Sequence, residues 1–428
     1  MQMSENSLQR RIDVKVPVAQ FNQEVTKRLQ KLAHTVKLHG FRPGKVPLKV
    51  VAQQFGSQVR QEVLEKELEA RFGNAVREQS LRVAGFPRFE AKNEGEDDLV
   101  FDATFEVYPE VNLGDISSAN IVRPVYEVGA ADVDRTLETL RKQRGVFEPA
   151  DRAAESGDKV DIDFIGRIDN EPFEGGTAKG VGVVLGEGRM LAGFESAIVG
   201  MKAGETRSAE VDFPENYHGR DVAGKKAVFE ITVNRVEGLA LPDLDEEFAR
   251  SLGVEDGSMD EVRREVEDNL KREVKRRIQL KLKDQVMQAL LDSTRIELPR
   301  SLVEMEKHRL ADQARQDLEA RGVKAKDMPI PREVFDEQAN RRVALGLILS
   351  ELVKTHELHA KPEQIRAVID EFAENYEHPE EVVKWHYAEP SRLNQAESFA
   401  LEENVVAWAL NSAKVEDKAF TFEELMGN

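Results

Sequence analysis

The chain has 428 residues, 40% of them hydrophobic and 33% charged, which predicts about three folded domains and excludes wholesale disorder. With 61 Lys and Arg against 80 Asp and Glu, the net charge is −19, so most of the surface should repel nucleic acid and anionic membranes. The chain has no cysteine, which excludes disulfides, thiolate nucleophiles, thiolate-bound zinc and iron–sulfur clusters.

Neither a secretion signal nor a membrane span is visible in the sequence. Residues 1–11 are polar and lack the apolar segment of a secretory signal. The longest near-apolar run, Val343–Leu349, is far shorter than the ~18 residues that span a bilayer. We therefore expect a cytoplasmic protein with no membrane partner.

Charge is unevenly distributed along the chain. Residues 1–60 hold eleven Lys or Arg and three Asp or Glu, a local net charge of +8, and the rest of the chain carries −27. A basic head on an acidic body indicates that one end approaches a polyanion while the rest is held away from it. A solvated basic helix face would give the same pattern, and charge alone does not separate the two.

The first 110 residues have the patterns of a small α+β domain. Alternating apolar residues predict strands at Ile12–Val16 and Phe101–Val107. Apolar residues at helical spacing predict helices at Phe21–Val36 and Leu48–Phe72, with a loop rich in glycine and proline between them.

Residues 111–150 look connective, and residues 151–236 have the patterns of a compact, mostly antiparallel β domain. The connector holds one short helix, Asp132–Arg144, with Gly145 placed to cap its C-terminus. In the β domain the apolar period is two, and strands are predicted at Val160–Phe164 and Ala227–Val236. Turn signals lie between these strands at Asp169-Asn170, Gly175-Gly176, Gly186–Gly188 and Lys202–Gly204.

After Pro242 the pattern is almost entirely helical, which predicts an all-α C-terminal domain over residues 237–428. The motif Ser258-x-x-Glu261 is a candidate capping box ahead of a long helix. Trp385 and Trp408 are expected in the helical core, and Val415–Leu425 is interpreted as helical or partly extended. Prolines precede or begin five further helical patterns, at Pro299, Pro331, Pro362, Pro379 and Pro390.

One segment between the two N-terminal helices is short, stiff, aromatic and basic. It consists of Gly40, Phe41, Arg42, Pro43, Gly44, Lys45, Val46 and Pro47. Two glycines and two prolines predict a tight loop that loses little conformational freedom on binding. Its Arg and Lys can pair with phosphates or carboxylates while the Phe packs into an apolar slot. An ordinary helix connector, with Phe41 packed on its own domain, is the alternative from the residues alone.

This loop closely resembles the G-F-R-x-G-x-x-P signature of the bacterial trigger factor family, and it lies between two helices of a basic N-terminal domain, as in that family. Phe41, Arg42 and Gly44 occupy the fixed positions of the signature. The resemblance implies a ribosome-associated chaperone that docks on the large ribosomal subunit near the exit tunnel, on protein and with rRNA as a further candidate. It implies nascent and unfolded polypeptides as partners and leaves a homodimer off the ribosome open.

The β domain resembles an FKBP-type prolyl isomerase through several segments in the same order. They are Phe164–Gly166, Pro172–Gly176, Leu185–Phe194, Phe213–Gly219 and Val228–Glu230. The resemblance implies an antiparallel β fold with a short helix, and it assigns a pocket for the substrate proline to Phe164, Phe173, Met190, Leu191, Phe194, Tyr217 and Phe229. Tyr217 would donate a hydrogen bond to a substrate carbonyl. Small single-domain enzymes of this type usually have Trp where Phe194 stands and Asp where Glu174 stands.

Prolyl isomerisation suits a chain without reactive thiols. Rotation about an amide must break resonance, with a general barrier of about 18–20 kcal/mol. The twisted transition state is less charge-separated than the planar amide, so a dry aromatic pocket favours it without a nucleophile, metal or proton transfer. We expect no cofactor and no metal, and we set aside His356 and His359 because no nearby acidic groups complete a ligand set.

The trigger factor resemblance covers essentially the whole chain and predicts a multidomain α+β protein. It divides the chain into a docking domain (1–110), a connector that packs with the helical domain (111–150), an isomerase domain (151–236) and a helical chaperone domain (237–428). The leading interpretation is an ATP-independent, ribosome-associated chaperone with prolyl isomerase activity. A free cytosolic prolyl isomerase whose helical region only binds partners is the first alternative, and an RNA-binding protein that uses the basic head is the second.

Overall fold

The computed structural model describes residues 7–39, 41, 44–94, 97–215, 217, 222–323, 330–374 and 376–427. The chain forms two compact units, each built from two stretches of sequence. The first unit contains residues 1–123 and 280–418, and the second contains residues 124–279 and 419–428. Helices and antiparallel sheets occur in the same chain, as the α+β class requires.

The N-terminal part of the first unit is a three-stranded antiparallel sheet packed against two helices. Its elements are β1 (Gln9–Pro17), α1 (Val18–Thr35), α2 (Leu48–Glu78), β2 (Val83–Glu94) and β3 (Asp98–Val107), with the strand order β1-β3-β2. The predicted strands and helices are confirmed, and α2 continues six residues beyond Phe72. The buried core of this part includes Val16, Phe21, Val51, Phe72 and Phe105.

Strand β2 has no clear signal in the sequence because a glycine and a proline interrupt its alternation. The register between β2 and β3 shifts between Ala84 and Arg88, and Gly85 within this bulge has a φ of 78°. Pro87 is tolerated there because an irregular position of the ladder does not require its N–H. The bulge leaves Phe86 84% exposed. The strand therefore forms, but its side chains do not alternate as a strand pattern requires.

A strand, a helix and a second short strand make up the connector. They are β4 (Asn120–Val125), α3 (Ala130–Gln143) and β5 (Val146–Pro149). The predicted helix is confirmed, but the predicted cap is wrong, because Arg144 is the C-cap and Gly145 does not adopt a left-handed φ. A Cβ on Gly145 would lie 2.7 Å from Leu239 Cδ1. The missing side chain thus allows close packing instead of ending the helix.

The β domain of the second unit is a five-stranded antiparallel sheet with one short helix. Its elements are β6 (Lys159–Ile168), β7 (Glu171–Val184), α4 (Ala192–Ile198), β8 (Thr206–Asp212) and β9 (Lys226–Ala240). The strand order is β5-β9-β6-β7, and β8 also pairs with β9. The predicted turn between β6 and β7 is confirmed at Asp169 and Asn170, whose φ values are 53° and 66°.

The predicted turn at Gly175-Gly176 is wrong, since both glycines lie inside β7. Ile165 pairs with Thr177 and Arg167 pairs with Pro172, so residues 173–176 lie opposite the single residue Gly166. This is a bulge, which interrupts the ladder and bends the strand. Gly175 has a φ of 81°, which glycine adopts without strain.

In its described residues, the remainder of the chain is helical apart from one strand. The elements are α5 (Glu246–Ser251), α6 (Met259–Ser293), α7 (Arg300–Ala320), a 3₁₀ helix (Arg332–Phe335), α8 (Asp336–His356), α9 (Pro362–Ala373), α10 (Pro379–Tyr387), α11 (Pro390–Ser412), β10 (Lys414–Ala419) and α12 (Phe422–Met426). Strand β10 pairs with β4, so the closing segment is partly extended. The Glu261 N–H donates to Ser258 Oγ at 3.3 Å, as the capping box predicts. All five prolines stand at the N-cap or the first residue of a helix.

The expected core position of Trp385 is wrong. Its side chain is 53% exposed, and the Arg392 guanidinium lies over the indole, 3.7 Å from the ring centroid. The buried core of α9–α11 is built from smaller side chains, namely Val368, Ile369, Ala373, Val383, Ala396 and Ala400. A core of this size leaves the indole at the surface, where a cation–π contact covers one face.

The surroundings of His356 and His359 are not those of a metal site. His356 contacts the half-buried Trp408, with ring centroids 4.6 Å apart, and the His359 carbonyl accepts a hydrogen bond from Asn404. Among the described residues, no group of three or more His, Asp or Glu is placed to hold a metal ion. In the same part of the chain, no helix has the length and apolar character needed to cross a membrane.

Candidate functional site

The seven side chains assigned to the proline pocket belong to one hydrophobic cluster of the β domain. Phe194 and Phe229 are buried, with 2% and 5% of their surface exposed. The other five are half-buried and pack against the same core: Phe164, Phe173, Met190, Leu191 and Tyr217. The cluster therefore has a buried centre surrounded by partly exposed side chains.

Phe229 on β9 is the central ring of this cluster. Its centroid lies 5.2 Å from that of Phe194 and 6.0 Å from those of Phe164 and Phe173, with interplanar angles between 64° and 87°. Phe164 and Phe194 also meet edge to face, at 5.4 Å. Edge-to-face contacts favour definite ring orientations, so these rings hold one another in a defined arrangement.

The bulge in β7 places Phe173 in this cluster, and two glycines leave room for its ring. A Cβ on Gly166 would lie 2.6 Å from Phe229 Cε1 and 2.8 Å from Phe173 Cε1. A Cβ on Gly176 would lie 2.8 Å from both Cε1 and Cζ of Phe173. Neither glycine has a left-handed φ, so both positions require glycine for space and not for backbone conformation.

One further ring, Phe213, belongs to the cluster and was not assigned to it from the sequence. It is 7% exposed and lies 4.9 Å from Tyr217 and 6.0 Å from Phe173, measured between ring centroids. It therefore joins the bulge of β7 to the segment that follows β8. Its signal was in the segment Phe213–Gly219, but a sequence does not distinguish a ring that supports a pocket from one that lines it.

The ring cluster offers hydrocarbon, one sulfur and one hydroxyl, and the carboxylate next to Phe164 in the sequence is engaged elsewhere. Asp163, next to Phe164 on β6, accepts hydrogen bonds from the Gly180 N–H at 2.8 Å and from Asn234 Nδ2 at 2.9 Å. These bonds, the one from Gly180 first, hold the pKa of Asp163 below its usual value. The carboxylate is therefore ionised and occupied at neutral pH, and the cluster is suited to apolar binding and not to proton transfer.

The basic loop of the N-terminal domain is described in part. Its residues Gly40, Arg42 and Pro43 lie outside the described residues. Phe41 is 39% exposed, and its N–H donates to the Leu38 carbonyl at 3.1 Å. The ring thus stays partly accessible while its backbone is tied to the end of the preceding segment.

The second half of the loop is anchored to the domain. Val46 is 6% exposed and packs in the N-terminal core, and Pro47 is the N-cap of α2. Gly44 has a φ of 78°, a conformation that strongly favours glycine. Lys45, between these anchors, is exposed. The loop therefore has a fixed base and presents a basic side chain.

Known proteins resemble the chain over its whole length. A trigger factor from Aromatoleum aromaticum is 55% identical over 428 residues, which are 100% of this chain and 99% of the relative. The chain belongs to the trigger factor family. A trigger factor from Nitrosospira multiformis is 53% identical over 98% of both chains. The family model "Bacterial trigger factor protein (TF)" matches residues 1–140, its C-terminal counterpart matches 258–411, and "FKBP-type peptidyl-prolyl cis-trans isomerase" matches 150–234.

These matches confirm the predicted family, the fold class and the isomerase activity. The chain is a chaperone of the trigger factor family with an FKBP-type peptidyl-prolyl cis-trans isomerase domain, and the match to that domain spans all seven predicted pocket residues. A solved structure described as "Promiscuous Substrate Recognition in Folding and Assembly Activities of the Trigger Factor Chaperone" covers 96% of this chain and 98% of its own. Its identity to this chain is 18%, and the TM-score is 0.47.

Proposed function

We propose that this cytoplasmic chain docks on the large ribosomal subunit near the exit tunnel and holds nascent and unfolded polypeptides without ATP, while its β domain isomerises their X–Pro bonds. Docking belongs to residues 1–110, isomerisation to 151–236 and client holding to 237–428. The observation that carries the proposal is an anchored aromatic and basic loop in a chain of this family. Weak, adaptable binding of exposed apolar segments suppresses the aggregation of partly folded chains.

The connector, residues 111–150, joins the helical domain in this proposal. Val133 and Leu137 of α3 share a buried cluster with Val262, Val266 and Leu270 of α6. An ion pair between Asp134 and Arg263, at 2.7 Å, adds a polar contact at the edge of the same pair of helices. A helix that buries its apolar face against α6 is supported as part of the helical domain.

In the isomerisation step, the substrate proline enters the ring cluster. The buried pair Phe194 and Phe229 forms the floor, and Tyr217 donates a hydrogen bond to a substrate carbonyl. The walls are Phe164, Phe173, Met190 and Leu191. A planar amide is charge-separated and better hydrated than the twisted amide, so moving it among ring edges and aliphatic carbons favours the twisted form. Because the floor rings already hold each other edge to face, little reorganisation opposes this step.

In the docking step, the loop at residues 40–47 provides an exposed ring and an exposed cation. Lys27 and Arg28 on the preceding helix pair with Glu24 and Glu62. Lys45, by contrast, has no acidic partner at ion-pair distance among the described residues, so its ammonium group can bind a phosphate or a carboxylate. The net charge of +8 over residues 1–60 adds a longer-range attraction towards a polyanion.

Co-sedimentation with ribosomes tests the docking proposal. The wild-type chain is compared with the Phe41/Arg42/Lys45→Ala variant, and a Phe86/Arg88/Lys92→Ala variant is the matched control. The control removes an exposed ring and two cations from β2 in the same domain. We expect the wild type and the control to sediment with ribosomes and the loop variant to stay in solution, with prolyl isomerisation of a test peptide unchanged in all three.

The two alternatives give different results in this experiment. A free prolyl isomerase with a helical partner-binding region predicts activity without ribosome binding by the wild type, which would contradict the docking proposal. The RNA-binding alternative predicts binding to naked RNA, with steep salt dependence.

Sedimentation velocity of the free chain at rising concentration tests for a homodimer off the ribosome.

A further inference from the structure

Glu195 is a buried carboxylate that prolyl isomerisation does not use directly. It is one of four buried polar or charged residues in the part of the chain that the structure describes, and it is 8% exposed. It lies in the first turn of α4, directly after Phe194. A carboxylate is costly to bury unless its oxygens accept hydrogen bonds, so its partners indicate its role.

Both oxygens of Glu195 accept hydrogen bonds from the backbone of the loop that precedes α4. Oε2 accepts from the Gly186 N–H at 2.9 Å, and Oε1 accepts from the Met190 N–H at 3.1 Å. The two donors stand at the two ends of residues 186–190. One side chain therefore fixes both ends of this loop to the helix that carries Phe194.

The two hydrogen bonds to Glu195 form a clamp on residues 186–190, and this loop is of a kind that needs one. Gly186 and Gly188 have φ values of 91° and 68°, and residues 186–189 are exposed. A glycine-rich exposed segment has many competing conformations, and ordering it costs conformational entropy. The loop leads directly into Met190 and Leu191, which are two of the proposed walls of the pocket.

The other buried carboxylate of the β domain has a different role. Asp158, at 3% exposed, accepts hydrogen bonds from Arg152 at 2.6 and 2.8 Å and from the Glu155 N–H at 2.8 Å. None of these partners is assigned to the pocket. Glu195, in contrast, has no Lys, Arg or His at ion-pair distance within the described residues, and its oxygens bond to the loop backbone.

We propose that Glu195 is a positioning residue for prolyl isomerisation, because it holds residues 186–190 so that Met190 and Leu191 stand beside Phe194 as a finished wall. The inference rests on the pocket assignment under the proposed function. With the clamp, the wall is ordered before the substrate binds. Without it, substrate binding must order the loop, which raises KM more than it lowers kcat.

The test compares Glu195→Ala and Glu195→Gln with Asp158→Asn in the full chain. The folded fraction is measured by circular dichroism, and kcat and KM for a proline-containing peptide are expressed per folded molecule. We expect Glu195→Ala to lower kcat/KM about tenfold, mostly through KM, which corresponds to ~1.4 kcal/mol. Glu195→Gln should lie in between, since its amide oxygen still accepts a hydrogen bond. Asp158→Asn should lose stability and keep kcat/KM within about twofold.

Hydrogen exchange at the Gly186 and Met190 amides reports the clamp independently of activity. We expect fast exchange at both amides in Glu195→Ala and protection in Asp158→Asn. Slow exchange in Glu195→Ala, or wild-type kcat/KM despite fast exchange, would overturn the proposal. Equal losses of kcat/KM in Glu195→Ala and Asp158→Asn would overturn it too, because they would indicate general destabilisation. If Glu195→Ala does not fold, Glu195→Gln is judged by the same criteria.

A parallel measurement separates failure of the clamp from failure of the pocket. Phe194→Ala removes a floor ring without touching the two hydrogen bonds of Glu195. Unchanged turnover in Phe194→Ala removes Phe194 from the site and contradicts the pocket assignment on which the role of Glu195 rests. Reduced turnover in Phe194→Ala together with unchanged turnover in Glu195→Ala refutes only the positioning role.

Discussion

Replacing Gly166 by Ala places one methyl group against the two rings that meet beneath the bulge of β7. The new Cβ would lie 2.6 Å from Phe229 Cε1 and 2.8 Å from Phe173 Cε1, whereas ordinary contact begins at 3.4 Å. The rings must therefore retreat by about 0.8 Å and 0.6 Å. The half-buried Phe173 can move outward, but Phe229 is enclosed by other rings, so its overlap with the methyl group strains the core.

Two opposing terms set the effect of this substitution on stability. Overpacking of a core by one methyl group costs about 1–3 kcal/mol. The loss of glycine freedom in the unfolded chain returns about 0.4–1 kcal/mol, since the φ of Gly166 suits alanine. We expect a net loss of about 1–2 kcal/mol in the free energy of unfolding. Turnover should fall at least about tenfold, because a displacement of about 1 Å in a binding group is enough to lose that much.

Gly182→Ala is the matched control, because a Cβ there meets only Lys159 Cε, at 3.5 Å. Urea unfolding measures stability, and NMR exchange spectroscopy measures cis–trans interconversion of a proline-containing peptide. The control should be neutral or slightly stabilised and fully active. If Gly166→Ala and Gly182→Ala agree in both stability and turnover, the close approach of the glycine to the two rings has no functional meaning.

Three further substitutions test other parts of the second unit. Phe194→Ala opens a cavity that lowers the free energy of unfolding by about 3–5 kcal/mol. It should lower turnover severalfold or more in a domain that circular dichroism shows to be folded. Unchanged turnover removes Phe194 from the site. Burial raises the pKa of Asp158, but Arg152 and the Glu155 N–H outweigh it and hold that pKa below its usual value. The ionised Asp158 carboxylate therefore stabilises the fold above pH ~4, and this stabilisation is lost as pH falls through the lowered pKa. In urea titrations, the free energy of unfolding of Asp158→Asn should decrease less towards acid pH than that of the wild type. An unchanged pH dependence would contradict the assignment. Burial, followed by the hydrogen bond to Asp132, raises the pKa of Tyr126 to about 12, so this stabilisation is complete below pH ~10 and lost towards pH 12. Absorbance titration of the wild type should show a tyrosine that ionises near pH 12, and Tyr126→Phe should lack this transition. If the transition persists in Tyr126→Phe, it belongs to another tyrosine.

The ring cluster of the β domain could be predicted from the sequence because each assigned ring lies in a short segment with its own composition and order. Such segments identify Phe173 and Phe229, and the structure brings these rings to 6.0 Å. The bulge that aims Phe173 could not be predicted, because Gly175-Gly176 has the composition of a turn and only the partner strand shows it to be inside β7. The role of Glu195 was hidden for a related reason, since its partners are backbone N–H groups and carry no residue signature.

Tertiary context also decided the elements that the sequence did not predict. Strand β2 contains Gly85 and Pro87, which argue against a strand unless a bulge accommodates them. Trp385 is large and apolar, as core residues often are. The core beside it is built from valine, isoleucine and alanine, and the indole stays at the surface. Periodicity places a residue on a helix, but it does not reveal whether a neighbouring element has room to cover it.

The pairing of β4 with β10 has a consequence for the order in which the protein assembles as it is made. All strands of the sheet β1-β3-β2 lie within the first 107 residues, so this sheet can close early in synthesis. Strand β4 follows directly in sequence, but its partner comes only at Lys414–Ala419, after nearly the whole chain. Joining such distant segments carries a loop-closure cost that intervening folded structure reduces. The unit that starts to fold first therefore stays incomplete until nearly the whole chain has been made. A chain that stops before Lys414 leaves β4 without its partner strand, and a chaperone or protease can recognise the unpaired edge.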